Sequence, residues 1–278
     1  MHRPSTPSTD LTAPVADLVR GLGADLVGFA PVERFAGAPV GHRPEDVLPG
    51  ARSVVSYAFN VLESVFITPV PRVYQWSYMT LRNHANVTSY EIARFFERAG
   101  HFAVPIPSTI PVEFREHHGL FGDFSHRHAA VMAGLGEIGL NRMLITPRFG
   151  PRVWLGTVIT TAELAPAAML DASVCLWEGC DLCMEACPVG AISRAGLDIP
   201  RCAKGGVHSL NLSGLLRHFK AILREPDPQQ RERLVLGPET WDLYQGLVCG
   251  MIPACNKCAL VCPIGRRLPH DKIAAGKA

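Results

Sequence analysis

The sequence lacks cysteine over its first 174 residues, and it lacks any long apolar run. All nine cysteines lie between Cys175 and Cys262. Secreted proteins held by disulfides usually spread their cysteines through the fold, so this clustering favours metal ligation in a reducing cytosol. No apolar stretch approaches the roughly 20 residues of a membrane-spanning helix, and the N-terminus has no apolar core of a signal peptide. We therefore expect a cytoplasmic protein without a membrane partner.

A strong excess of charge of either sign is also missing. The formal net charge is +2 over 278 residues, which alone does not indicate a nucleic-acid partner. Hydrophobic residues make up 47% of the chain, which is enough for one large or two modest domains. Residues 1–12 begin with a run rich in Pro, Ser and Thr, and we expect them to form a disordered tail.

Two cysteine runs of the form C-x2-C-x3-C-P organise the last third of the chain. The first extends from Cys180 to Pro188 and the second from Cys255 to Pro263. In proteins with two 4Fe–4S clusters, such a run gives three thiolates, and the cysteine before proline reaches the other cluster. Zinc sites also use C-x2-C hooks, but they normally pair two hooks without this proline. The two runs therefore predict two 4Fe–4S clusters and make zinc the weaker alternative.

The runs leave two cluster ligands to be found among the other cysteines. Each cluster needs four thiolates, and the runs supply six of the eight. In a crossed arrangement, the first cluster is held by Cys175, Cys180, Cys183 and Cys262, and the second by Cys187, Cys202, Cys255 and Cys258. Cys249 competes with Cys175, because four residues separate Cys175 from Cys180 and Trp177 stands where a ligand is usual.

The upstream part alternates between helical and extended patterns. Apolar spacing predicts a helix from Val15 to Leu22 and another that Ser89 caps. Apolar β-branched runs predict strands at 26–30, 53–59 and 153–160, and Pro105 places the run 102–106 at a sheet edge. Residues 60–86 have no clear pattern. Between the cysteine runs we expect a helix around 215–222 and a surface loop at 229–233. These elements predict a layered α/β or α+β fold for residues 10–165.

A glycine motif, Gly134-Leu-Gly-Glu-Ile-Gly139, matches the dinucleotide fingerprint G-x-G-x-x-G. That fingerprint needs a strand before it and a continuous helix after it, which the sequence does not indicate, so NAD is not expected. Two explanations stay open: close packing of backbone, or approach of backbone to a large flat cofactor. The second makes Gly134, Leu135 and Gly136 candidate cofactor-binding residues.

Asp123 and His126 are the candidate catalytic residues. Asp123 could act as a general acid if burial raises its pKa, or it could be a cap or turn residue before a helix that starts near Ser125. His126 lies in a stretch that also holds His117, His118 and His128. Because His126 and His128 are two residues apart, they face different sides of a helix, and a metal site is not expected. Proton donation by a histidine stays open.

Residues 124–139, residues 150–160 and the two cysteine runs, in this order, resemble the epoxyqueuosine reductase-like family, which is related to reductive dehalogenases. Residues 49–55 also resemble that family, so the similarity extends roughly over residues 15–265. It implies an α+β protein. An N-terminal nitroreductase-like α/β domain, at 13–168, would bind cobalamin and substrate, and a ferredoxin-like domain, at 169–268, would hold two 4Fe–4S clusters before a tail at 269–278. The crossed ligand sets, with Cys202 as the intermediate ligand, are also how the family holds its clusters.

The resemblance implies an iron–sulfur oxidoreductase. Electrons from an upstream donor of the flavodoxin or ferredoxin reductase type would pass through the clusters to cobalamin, and a small molecule would be reduced. A ferredoxin-type electron-transfer protein that reduces a partner enzyme or a corrinoid protein is the alternative. A tRNA epoxyqueuosine reductase is a weaker alternative. We do not expect a tRNA partner, because the helical-repeat extension of the tRNA-acting members is absent here.

The chain departs from the family pattern at other positions. Glu137 replaces a tryptophan and Leu140 replaces a lysine. The family's catalytic aspartate aligns with Leu120, and Asp123 is only nearby.

Overall fold

The computed structural model describes residues 10–68, 70–109, 113–115, 119–204, 212–249 and 255–267. The helices of these residues are α1 (Thr12–Gly21), α2 (Pro44–Val47), α3 (Glu63–Ile67), α4 (Pro71–Arg98), α5 (His126–Met132), α6 (Leu182–Glu185), α7 (Ile199–Lys204), α8 (Leu212–Arg224), α9 (Pro228–Val235), α10 (Pro238–Cys249) and α11 (Lys257–Val261). The strands are β1 (Leu26–Pro31), β2 (Ser53–Asn60), β3 (Ala103–Ile106), β4 (Glu113–Arg115), β5 (Gly119–Phe121), β6 (Glu137–Ile138), β7 (Leu144–Ile145), β8 (Val153–Thr160), β9 (Ile192–Ser193) and β10 (Gly196–Leu197).

A four-stranded antiparallel sheet forms the centre of the N-terminal part, in the order β1-β2-β8-β3. The predicted strands at 26–30, 53–59 and 153–160 are confirmed, and β3 is the expected edge strand. β2 is buried from Ser53 to Phe59 because both faces of the sheet are covered. Val55 and Val158 pack with α1 and α4 on one face, and Val54 and Ile159 pack with α5 on the other. The fold is a mixed helix and sheet fold, α+β in its antiparallel pairing.

The helix α4 differs from the prediction. One 28-residue helix replaces the patternless stretch before Asn86 and the short helix after it. Ser89 is not a helix cap: it is buried inside α4, where its hydroxyl lies 2.7 Å from the Tyr57 hydroxyl. Apolar spacing misses the first half of α4 because Tyr74 and Tyr78 pack there against the cysteine-rich part, while Gln75 is buried and polar.

The predicted surface loop at 229–233 is also wrong. These residues belong to α9, whose first turn is capped by Asp227 accepting the Gln229 N–H at 2.9 Å. The strong charge of the segment reflects an exposed helix. None of the described helices is both long enough and apolar enough to cross a membrane.

Arg152 attaches the C-terminal cysteine run to the sheet. Its side chain is 3% exposed at the start of β8. It donates to the carbonyl oxygens of Ala259 at 3.1 Å and Cys262 at 3.0 Å, and also to that of Ile264. Each of these carbonyls lies in or after α11. One guanidinium therefore holds the end of α11 and the turn that follows Cys262.

A glycine contact tightens this attachment. A Cβ on Gly150 would lie 2.1 Å from the Ile264 carbonyl oxygen, and a Cβ on Gly265 would lie 2.3 Å from the Gly150 nitrogen. Both glycines have positive φ, 57° and 62°. The two backbone segments touch directly, and only glycine permits that approach.

We expect Arg152→Met to loosen the C-terminal cysteine run. The substitution leaves three carbonyls of a closed interface without their donor, at a cost of about 1–3 kcal/mol per buried group. Hydrogen–deuterium exchange should become faster over residues 257–262 and stay unchanged in α1. The matched control is Arg52→Met, because Arg52 forms an exposed ion pair with Glu163 at 3.3 Å, worth about 0–1 kcal/mol. Equal hydrogen–deuterium exchange over residues 257–262 in both variants would contradict the role of Arg152 in holding this run.

Candidate functional site

A pocket between the two cysteine runs is lined by four thiols. They belong to Cys175, Cys180, Cys183 and Cys262. Most of the remaining lining is apolar, from Leu140, Ile145, Leu176, Leu182, Pro263 and Ile264, with Asn141 beside them. Helix α6 carries Cys183, and Cys262 directly follows α11. The structure thus brings together the four cysteines predicted for the first cluster.

The second predicted set gathers around Cys258. Burial, followed by the charges of Cys255, Cys183 and Cys202, raises the pKa of Cys258 to about 12. Burial, then the charges of Cys255 and Cys187, also raises the pKa of Cys202 on α7. These mutual effects require the thiols to be neighbours. Helix α6, which carries Cys183, packs against α11, which carries Cys258, so the two sets adjoin.

The surroundings disfavour bare thiolates in the first set. Burial raises the pKa of Cys183 to about 11, and the charges of Cys180, Cys175 and Cys262 add to it. Burial also raises the pKa of Cys262, although the nearby Arg152 opposes this. Such thiols are neutral at pH 7 unless a metal supplies the positive charge that makes them thiolates.

Cys187 has the opposite environment. Burial acts to raise its pKa, but hydrogen bonds from the backbone N–H groups of Val189, Ala191, Ile192 and Gly190 outweigh it and lower the pKa. The Ala191 N–H lies 3.2 Å from the Cys187 sulfur. The turn after Pro188 therefore supplies donors to a thiolate.

The donor sets fit iron–sulfur clusters. Four thiols line one pocket, the other four affect one another's pKa, and thiolates are the ligands of 4Fe–4S clusters. The described residues contain no group of three or more His, Cys, Asp or Glu side chains gathered tightly enough for a single metal ion. Four thiols of the first set instead line the walls of a pocket. The side chain of Cys249, the rival ligand, lies outside the described residues.

The glycine motif packs backbone on backbone. A Cβ on Gly134 would lie 2.1 Å from the Ala168 carbonyl oxygen, and one on Gly136 would lie 2.4 Å from that of Ile145. Leu135 is buried in the core under α5. A short strand, β6, lies within the motif at Glu137–Ile138, where a dinucleotide site needs the start of a helix. The role of Gly134, Leu135 and Gly136 in cofactor binding stays a prediction.

His126 is bonded at both ring nitrogens. Its Nε2 lies 2.8 Å from the Pro107 carbonyl, which can only accept, so Nε2 carries the proton. Its Nδ1 lies 2.7 Å from the Thr157 hydroxyl and accepts from it. Burial lowers the pKa of His126, which keeps the ring neutral. The ring ties the start of α5 to β8, and proton donation by His126 would require breaking one of these bonds.

Asp123 has an exposed side chain, and its carbonyl oxygen lies 2.9 Å from the His42 Nδ1. Ser125, not Asp123, caps α5: its hydroxyl accepts from the His128 N–H at 3.4 Å. The catalytic role of Asp123 stays a prediction. His117 and His118 lie outside the described residues.

Sequence patterns missed an aromatic group between the second thiol set and the sheet. The rings of Tyr74 and Tyr78 are 4.4 Å apart, and Tyr78 meets Trp154 edge-on at 5.1 Å. Burial, with the charge of Cys258 adding to it, raises the pKa of Tyr78 to about 12. Burial also raises the pKa of Tyr74, whose hydroxyl bonds to Asn256. The segment 74–78 is visibly aromatic in the sequence, but its partners are not.

No protein-family model matches the chain. An epoxyqueuosine reductase of Bacillus cereus is 29% identical over 143 residues, which are 51% of this chain and 30% of that relative. A tetrachloroethene reductive dehalogenase of Desulfitobacterium hafniense is 36% identical over 107 residues, which are 38% of this chain and 17% of that relative. The matches thus span about a third or less of these curated relatives.

Two solved structures share the fold. An epoxyqueuosine reductase in complex with an epoxyqueuosine-modified tRNA-Tyr stem loop has a TM-score of 0.55 at 18% identity, covering 94% of this chain and 68% of that one. A reductive dehalogenase, whose structure suggests a mechanism for B12-dependent dehalogenation, has a TM-score of 0.52 at 18% identity, covering 89% of this chain and 38% of that one.

The expectation that tRNA is not a partner is wrong. A protein of this fold is solved with a tRNA stem loop, and an epoxyqueuosine reductase is among the sequence relatives. The place where this chain ends is therefore no reason to set tRNA aside. The resemblance itself is confirmed: the chain is similar, in sequence and in fold, to epoxyqueuosine reductases and to the related reductive dehalogenases.

Proposed function

We propose that the chain is an iron–sulfur oxidoreductase that reduces a small molecule. Its ferredoxin-like domain, residues 169–268, would hold two 4Fe–4S clusters, and its nitroreductase-like domain, residues 13–168, would hold the cofactor that receives the electrons. The observation that supports this most is the pocket in which Cys262 of the second run joins three thiols of the first. Thiolates from both runs in one site are the pattern of two-cluster ferredoxins.

The residues around the thiols suit electron transfer. The aromatic group of Tyr74, Tyr78 and Trp154 keeps water from the contact between the second set and the sheet. A dry surrounding strengthens electrostatic control of a charged centre. Arg152 places a buried positive charge beside Cys262. The protein's part is to hold, orient and tune the redox centres.

Cobalamin is the cofactor we propose, because the fold is shared with a protein whose structure suggests B12-dependent chemistry. When bound, it would supply the reducing metal centre. Buried polar atoms of the N-terminal part that lack a partner among the described residues include the Gln75 amide nitrogen and the Thr109 hydroxyl. The others are the hydroxyls of Ser56 and Thr88 and the Nε of Arg152. A corrinoid carries amide side chains that could satisfy such groups. We propose Gln75 and Thr109 as contacts for it.

Iron content tests the two cluster sites. Protein purified without oxygen should hold about eight irons per chain. Cys175→Ala should lose one cluster and keep about four irons, because Cys175 lines the first pocket. Cys249→Ala is the matched control and should keep both clusters. Fewer than four irons in the unmodified chain would contradict the cluster assignment. If Cys249→Ala loses iron and Cys175→Ala does not, Cys249 is the ligand.

Corrinoid uptake tests the cofactor. The iron-loaded chain should bind hydroxocobalamin saturably, with a change in its absorbance spectrum. Gln75→Leu should weaken this binding by roughly 5- to 10-fold, the ~1 kcal/mol of one hydrogen bond. Glu97→Leu, at the far end of α4, is the control and should bind normally. A chain that binds no corrinoid would be an electron-transfer protein, which is the alternative function.

A second candidate function is the reduction of epoxyqueuosine in tRNA. The sequence match to an epoxyqueuosine reductase and the shared fold of a tRNA-bound structure favour it. The cluster-loaded, corrinoid-loaded chain can be incubated with epoxyqueuosine-containing tRNA and a chemical reductant. Nucleoside mass spectrometry would show queuosine if tRNA is the substrate. If epoxyqueuosine stays unchanged under conditions where a known reductase converts it, the tRNA function is excluded and reduction of a small molecule remains the proposal.

A further inference from the structure

Glu137 makes a concentrated set of contacts with the segment that leads into Cys175. Its Oε1 accepts hydrogen bonds from the Ser173 hydroxyl at 2.8 Å and the Val174 N–H at 2.7 Å, and also from the Cys175 N–H. Charge-assisted bonds of this kind are about twice as strong as neutral ones. One carboxylate oxygen thus fixes the peptide of the first predicted ligand.

The strand that carries Glu137 is itself held firmly. It pairs with β7, where Glu137 stands opposite Ile145, and Ile145 lines the thiol pocket. Two residues after Glu137, a Cβ on Gly139 would lie 3.4 Å from the Cys175 sulfur. A Cβ there would also lie 2.5 Å from the Ile145 side chain, so glycine lets the two strands pack closely. This short strand therefore fixes the Cys175 backbone through Glu137 and lies beside its sulfur.

The residues between Cys175 and Cys180 fold into a 3-10 turn, Trp177–Gly179. Trp177 has a φ of 41°, a left-handed conformation that is strained in a residue other than glycine. Its indole N–H donates to the Ser173 hydroxyl at 3.1 Å, and its carbonyl accepts from Arg194 at 2.9 Å. The longer spacer is thus a defined turn, held by Arg194 on one side.

Ser173 links this turn to Glu137. Its hydroxyl oxygen accepts from the Trp177 indole, and its proton points to the carboxylate at 2.8 Å, with the Cys175 carbonyl oxygen a longer acceptor at 3.1 Å. The Cys175 peptide is therefore bonded to the Glu137 carboxylate directly, and the turn is linked to it through Ser173.

We propose that Glu137 is the positioning group of the first cluster, which lets Cys175 complete its thiolate set across the four-residue spacer. This rests on the proposed cluster function and adds a residue to it. The chain departs from the family pattern in its long spacer and in having a glutamate in place of tryptophan. On this proposal the glutamate compensates for the spacer by fixing the Cys175 peptide. The carboxylate also adds negative charge beside the first cluster, which disfavours its reduction.

The test compares Glu137→Leu and Glu137→Gln in the full chain, purified without oxygen. Glu137→Leu should lose the first cluster and keep about four of eight irons. Glu137→Gln keeps an acceptor oxygen but no charge. It should retain more iron than the leucine variant, and its first cluster should titrate at a more positive midpoint potential than in the unmodified chain.

Asp46→Asn and Asp46→Leu are the matched controls. Asp46 also accepts two backbone N–H bonds, from Gly41 at 2.9 Å and Arg43 at 3.0 Å, but it lies in α2 of the N-terminal part. Both should keep eight irons and unchanged potentials, and circular dichroism should show all four variants folded.

Full iron and unchanged potentials in Glu137→Leu would overturn this inference alone. The same iron loss in Asp46→Leu would also overturn it, by making the effect one of general stability. An unmodified chain without iron would instead overturn the proposed function together with it.

Discussion

The attachment of the C-terminal cysteine run to the sheet, through Arg152, is the constraint on which the rest depends. The fourth thiol of the first pocket comes from Cys262, about eighty residues after its neighbours in sequence. Such a long closure has an entropic cost that only tertiary contacts can offset. Arg152 bonds the carbonyls on either side of this thiol's turn, and the contact of Gly150 with Gly265 closes the gap beneath. The position of the Cys262 thiol therefore depends on contacts with the N-terminal part.

This coupling explains why the two halves cannot be treated as separate modules. The first set contacts β6 through Glu137 and β7 through Ile145. The segment that carries the second set packs against the tyrosines of α4. Burial raises the pKa of Cys183, Cys258 and Cys262. The fold therefore disfavours free thiolates at these three positions, and metal binding there and folding stabilise each other.

Much of the framework could be predicted from local patterns. The strands β1, β2, β3 and β8 have apolar β-branched runs, and the cysteine runs have ligand spacing that points to clusters. The first half of α4 could not be predicted, because its inward side chains include Gln75 and tyrosines whose burial depends on a distant partner. Helix α9 was missed because its charge resembles that of a loop. Glu137, Arg152 and the Trp177 turn act only through tertiary contacts, so no sequence period marks them.

Electron paramagnetic resonance of the dithionite-reduced chain tests the central claim, that two thiol sets from both cysteine runs form adjoining clusters. Because helix α6, which carries Cys183, packs against α11, which carries Cys258, two reduced clusters held by these sets would be close enough for their electron spins to couple. We expect a spectrum broadened or split by this coupling, which becomes a simple single-cluster signal in Cys175→Ala. A silent spectrum, or a single uncoupled signal in the unmodified chain, would contradict it.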